Sequence, residues 1–121
     1  MTGYVKYLGE IYSAMDLCVH TSTWPEPFGL VIIEAMANGV PIISSTLGAP
    51  QEIITDGVNG YIVNPQSTEK LAETIINLLV DDELRIKIGN EGRKHVQDNY
   101  QANKYARAVE KIYSEVLEKP V

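Results

Sequence analysis

Two glutamates, Glu26 and Glu34, stand with seven residues between them in the run EPFGLVIIE. Glu26 lies between Pro25 and Pro27, so its backbone is held extended. Phe28-Gly29 then allows a tight turn into the next segment. Leu30 to Asn38 reads as a helix, with Gly39 as its C-terminal stop. The amides of Gly29, Leu30 and Val31 would point out of the start of that helix. Together with the helix dipole they would make an anion site suited to phosphate. Only the amides of Leu30 and Val31 matter there, because their side chains carry no polar atom.

Glu34 is the other half of the pattern. The Leu30 helix is apolar nearly all round, interrupted only by Glu34 and Asn38, which predicts burial. A buried carboxylate is costly without a partner. One reading is that Glu34 simply favours the positive end of the helix dipole. The other is that its two oxygens accept from a vicinal diol, and a ribose is the obvious diol beside a parallel sheet. Glu26 taken alone reads as a solvated loop acid.

The remaining chemistry-bearing residues have plainer readings. His20 is expected to be structural, and His95 solvated on a charged helix. Cys18 is a small buried hydrophobe. Trp24 either shapes a pocket or packs. Glu52 is expected to cap its short helix, Gly57 and Gly60 to serve turns, and Asp81, Asp82 and Glu83 to form a solvated helix junction. Between Lys6 and Lys70 there is no Lys or Arg, while Glu10, Asp16, Glu26, Glu34, Glu52, Asp56 and Glu69 all fall there. Any diphosphate bound in that stretch must rely on amides or on cations from elsewhere.

The elements needed to position these groups follow from apolar runs and their punctuation. Tyr4 to Leu8 predicts a short strand and Glu10 to Met15 a short helix. Asp16 to Ser22 and Val40 to Ser45 predict buried strands. Thr23 to Gly29 and Thr46 to Pro50 are loops at their carboxyl ends. A short helix at Gln51 to Thr55 and a strand at Tyr61 to Val63 come next. Lys70 to Leu79 forms a helix body, capped by Ser67 or Thr68. Two more helices run from about Glu83 to Val96 and from about Asn103 to Leu117. Short apolar strands alternating with helices predict an α/β fold: a partial Rossmann-like parallel sheet with flanking helices, ending in long C-terminal helices. Ligands in such sheets sit in the crevice at the strands' carboxyl ends.

Composition narrows the function classes. The chain has 121 residues, the size of one domain, and a formal charge of −6 that argues against nucleic acid as the main partner. No apolar run approaches the roughly 20 residues of a transmembrane helix. The single cysteine excludes a disulfide framework, and a cytoplasmic location is the default expectation.

The ordered set EPFGLVIIEAMANGVPII, with Ser22 before it and GAPQEIITDGVNGYIVNP from Gly48 to Pro65, resembles the retaining GT-B glycosyltransferases of group 1 (glycosyltransferase family 4). The resemblance runs from about Ile11 to Leu117. It implies the C-terminal, donor-binding half of a GT-B fold, with a nucleotide-diphosphate sugar as donor substrate and no further cofactor or metal. Glu34 would hold the ribose hydroxyls and Glu26 would lie at the donor sugar as the catalytic-site acid. Ser22, Phe28, Gly29, Leu30 and Val31 would complete the donor site. The family's phosphate-binding Arg and Lys and its acceptor-binding domain have no counterpart in these residues. The expectation is therefore a single, incomplete nucleotide-sugar-binding domain over residues 1–121. Such a fragment would self-associate through an open sheet edge or the C-terminal helix. A non-catalytic α/β nucleotide-binding or interaction module is the alternative, and another GT-B activity, such as epimerisation or phosphorolysis, is a third.

Overall fold

The computed structural model describes residues 6–117. Three short strands form one parallel sheet in the order β1 (Cys18–His20), β2 (Ile42–Ser45), β3 (Tyr61–Val63). Cys18 pairs with Ile42 and His20 with Ser44, while Ile43 pairs with Tyr61 and Ser45 with Val63. Every residue of β2 is buried, as a central strand with helices on both faces requires. Ile42 packs into one apolar cluster with Ile32, Ala35 and Met36. Its neighbour Ile43 points the other way, to Leu78 and Ile88. This alternation is the period-2 geometry of a strand, and it divides the core in two.

The helices are α1 (Leu8–Ser13), α2 (Leu30–Ala37), α3 (Pro50–Ile53), α4 (Thr68–Val80), α5 (Asp82–Asn99) and α6 (Ala102–Leu117). With the parallel sheet they form the expected α/β architecture of a parallel sheet with flanking helices. α2 crosses between β1 and β2 and packs on the first cluster. α4 covers the second, and α5 contributes Val96 to one and Ile88 to the other.

Several local expectations change. Leu8, expected to end a strand, opens α1, whose buried anchor is Tyr12; residues 4 and 5 lie outside the described residues. The strand expected over Asp16 to Ser22 contracts to Cys18–His20, and beyond it the Ser22 hydroxyl bonds locally to the Trp24 backbone where the chain bends. α2 is not buried all round. Ile32, Ala35 and Met36 face the core, but Leu30 at 57% exposure and Val31 face outward beside the loop. Ser67 makes no side-chain cap at α4; Asn64 orders that turn by accepting from the Gln66 amide at 2.9 Å. Asp81 caps α5 by accepting from the Leu84 amide at 2.9 Å, and Asp82 pairs with Arg85 at 2.7 Å, so this junction is built and not merely solvated.

Candidate functional site

β1 delivers the chain into the loop that carries Glu26. Ser22 Oγ donates to the Trp24 carbonyl at 2.9 Å and accepts from the Trp24 amide at 3.2 Å, which fixes the first bend. The Trp24 side chain, 79% exposed, is left outside the core. The loop is then zipped to the one after β2. The Glu26 amide donates to the Leu47 carbonyl at 3.2 Å, and the Ala49 amide donates to the Glu26 carbonyl at 2.8 Å. Gly48 sits between these bonds at φ +83°, and a Cβ there would run into the Glu26 carbonyl oxygen. Two glycine-bearing loops thus form one surface at the carboxyl ends of β1 and β2. Beside them a cavity of about 280 Å³ is lined by Thr23, Thr46, Leu47, Asn64, Pro65 and Gln66, which follow the three strands. This is the crevice expected of a parallel sheet.

Gly29 makes the turn into α2. Its φ is +78°, a left-handed conformation that favours glycine, and a Cβ there would press on Ile53 Cδ1 of α3 at 2.7 Å, a side-chain end that could shift. The Glu26 carboxylate folds back over this helix start. Its Oε1 accepts from the Gly29 amide at 3.0 Å and the Phe28 amide at 3.3 Å, while Oε2 lies 3.3 Å from His20 Nε2. The Gly29 amide first, then that of Phe28, and more weakly His20, hold the Glu26 carboxyl below the ordinary carboxylate range. Glu26 is therefore not a plain solvated loop acid. It also changes the expected cradle: the Gly29 amide is already engaged, whereas the Leu30 and Val31 amides make no hydrogen bond among the described residues.

Glu34 lies one face further along α2 and is half-buried. Its Oε2 accepts from the Tyr12 hydroxyl at 3.1 Å. The partner that burial demanded is thus a neutral donor from α1. Burial above all, then the bond to Glu34, pushes the Tyr12 phenol up to about 12, so it stays protonated and donating through neutral pH. Among the described residues neither Glu26 nor Glu34 pairs with a Lys or Arg.

The structure brings Ser22, Glu26, Phe28, Gly29, Leu30 and Val31 onto one loop and helix start, with Glu34 one turn along. Phe28 and Leu30 are exposed beside Tyr100 and Tyr105 in an apolar groove. Three contributors have only weak signals in the sequence. His20, expected to be structural, touches Glu26, and a histidine at a strand's carboxyl end six residues before an acid is the available hint. Tyr12 is separated from Glu34 by 22 positions and has no local signature. α5 locks the far end of α2: Arg93 donates to the Asn38 carbonyl at 2.8 Å, and Gly89 abuts the Gly39 carbonyl so closely that a Cβ would collide with it. Gly89 and Gly92, three apart in a polar helix, were the signal for that contact. His95, expected to be solvated, is half-buried with its Nε2 shielded.

The family model described as glycosyl transferases group 1 matches residues 1–95. The N-acetyl-alpha-D-glucosaminyl L-malate synthase of Bacillus anthracis is 36% identical over 110 residues, covering 91% of this chain and 29% of that protein. Anabaena Alr3699/HepE, solved with UDP-glucose, superposes with a TM-score of 0.83 at 30% identity, over 88% of this chain and 29% of its own. The C-terminal domain of a glycosyl transferase group 1 family protein (LpcC) from Francisella tularensis superposes with a TM-score of 0.73 at 38% identity, over 83% of this chain and 52% of that domain's. The chain spans less than a third of the length of the first two proteins.

Proposed function

The chain belongs to the group 1 glycosyltransferases, and we propose on that premise that Ser22 to Glu34 form the donor site for a nucleotide-diphosphate sugar. One observation carries this reading. At the carboxyl end of a parallel sheet, the unengaged amides of Leu30 and Val31 stand between two carboxylates, Glu26 held by the Gly29 and Phe28 amides and His20, and Glu34 held by Tyr12. The amides suit phosphate and the dipole of α2 adds to them. Glu34 takes the ribose hydroxyls and Glu26 the hydroxyls of the donor sugar. For the Gly29 amide to reach the donor, the Glu26 carboxylate must leave it. UDP-glucose bound to Alr3699/HepE supports a nucleotide sugar as the ligand class.

Within this reading the enzyme is a cytoplasmic, hexosyl-type transferase of glycosyltransferase family 4 that retains anomeric configuration. The leaving diphosphate requires positive charge. No Lys or Arg lies between Lys6 and Lys70, so we assign that charge and the acceptor site to regions other than these residues. Residues 1–121 are then a donor-binding domain that does not turn over alone and self-associates through its exposed faces. The same lack of cations favours the second reading, a nucleotide-binding module without catalysis.

Titration of UDP-, GDP- and ADP-sugars against the chain and against Glu34→Ala tests the site. Binding to the native chain that is weakened by the substitution is expected. No binding in the millimolar range removes the donor-site reading. Sugar transfer by the 121-residue chain would overturn its catalytic incompleteness.

A further inference from the structure

Tyr12 is the one buried residue of α1, at 7% exposure. Its ring joins the cluster of Ile32, Ala35, Met36 and Val40, which accounts for an aromatic residue at this position. The ring does not account for the hydroxyl. A phenol placed against an apolar cluster adds a polar group that must find a partner, and phenylalanine would fill the same space without that demand. The partner it finds is Glu34 Oε2, at 3.1 Å, and no other side-chain donor reaches Glu34 among the described residues. The Asn38 side chain, the nearest amide along α2, donates to the Glu34 backbone carbonyl at 2.8 Å instead. One carboxylate oxygen is therefore tied and the other is free. A glutamate has several rotatable bonds, and a single bond to one oxygen limits where the other can go.

We infer that Tyr12 is a positioning residue for Glu34: its hydroxyl holds one carboxylate oxygen so that the other is presented to a ligand hydroxyl. The inference rests on the donor-site reading and adds to it a residue outside the loop and helix that carry the site. The phenol is neutral, so it orients Glu34 without cancelling the charge that the ligand hydroxyl is to meet. A cation in its place would compete with the ligand for the same oxygens.

Tyr12→Phe keeps the ring and removes only the oxygen. The test measures binding of UDP, ADP and GDP to the native chain, to Tyr12→Phe and to Glu34→Ala. The nucleotide that binds is then compared with its 2′,3′-dideoxy analogue, with thermal unfolding of each variant as a control. The expected result is a loss of about five- to twentyfold in affinity for the ribonucleotide in Tyr12→Phe, the size of one oriented charge-assisted hydrogen bond. The dideoxy analogue should bind native and Tyr12→Phe chains alike, and adding Tyr12→Phe to Glu34→Ala should change nothing further. A purely structural hydroxyl would weaken both nucleotides equally, or neither, and either outcome overturns the positioning role while leaving the donor site standing. If none of the three nucleotides binds the native chain, the donor-site reading fails first and this role falls with it.

Discussion

Helices α5 and α6 follow one another along the chain and behave in opposite ways. α5 is polar for most of its length, yet it buries Ile88, Gly89, Gly92 and Val96. α6 carries the apolar stripe of Tyr105, Val109, Ile112, Tyr113, Val116 and Leu117, yet it buries no residue. Apolar content alone would rank them the other way. α5 is held by close backbone approach: Gly89 sits against the Gly39 carbonyl, Gly92 against Met36, and Arg93 reaches the Asn38 carbonyl. These contacts fall on the far end of α2, whose near end is the candidate donor site. The difference teaches that α5 is part of the scaffold for the site, whereas α6 presents a surface.

The strongest way to break this comparison is to deny α5 its approach. Gly89→Val places a branched side chain where the Gly39 carbonyl already lies, and backbone cannot yield as a flexible side chain can. Valine recovers some helix propensity over glycine, roughly 0.5 kcal/mol, which does not offset the overlap. We expect a net loss of about 2–4 kcal/mol in urea unfolding. An unchanged midpoint would show that α2 and α5 are not locked at this point.

A smaller effect is expected at Arg93. Its guanidinium donates to the Asn38 carbonyl, one of the acceptors left unpaired at the end of α2. The bond is exposed, so water partly replaces it when the side chain is cut back. Arg93→Ala should cost about 1 kcal/mol in the same measurement. A cost as large as that of Gly89→Val would mean that charge, and not close packing, anchors α5.

The comparison also shows which features can be read along a sequence and which cannot. The apolar runs around Val19 and Ile43, cut by Pro41, Gly39 and Gly60, are local, and they place β1, β2 and β3 to within a few residues. The Glu26 and Glu34 pair is local too, and its spacing puts both acids at one helix start. What holds them is not local. The Glu26 backbone is bonded across to Leu47 and Ala49, and Glu34 is bonded across to Tyr12. Such pairings depend on the register of the sheet and the seating of α1, which no short window encodes. The alternation that ran to Leu8 misled at that residue for a related reason. Leu8 joins a helix because Tyr12, one turn on, finds a buried place against α2. The purpose of the α5 glycines appears only once the α2 end is set opposite, Gly89 against the Gly39 carbonyl and Gly92 against Met36.

The least disruptive substitution sharpens the other side of the comparison. Ile112 is 60% exposed on α6, and its side chain contributes nothing to either core cluster. Ile112→Ser removes apolar surface that is already in water, so folding should change by no more than about 0.5 kcal/mol at low protein concentration. At high concentration the two chains should part company if the stripe joins two copies of the domain: the native chain should scatter as a larger species and Ile112→Ser as a monomer. A native chain that scatters as a monomer throughout removes self-association through α6. The small folding effect would still separate α6 from α5, since a helix that stabilises the domain by its stripe cannot lose the middle of that stripe without cost. A loss of 2 kcal/mol or more, of the order that burying an isoleucine brings, would instead place α6 in the core and erase the contrast with α5.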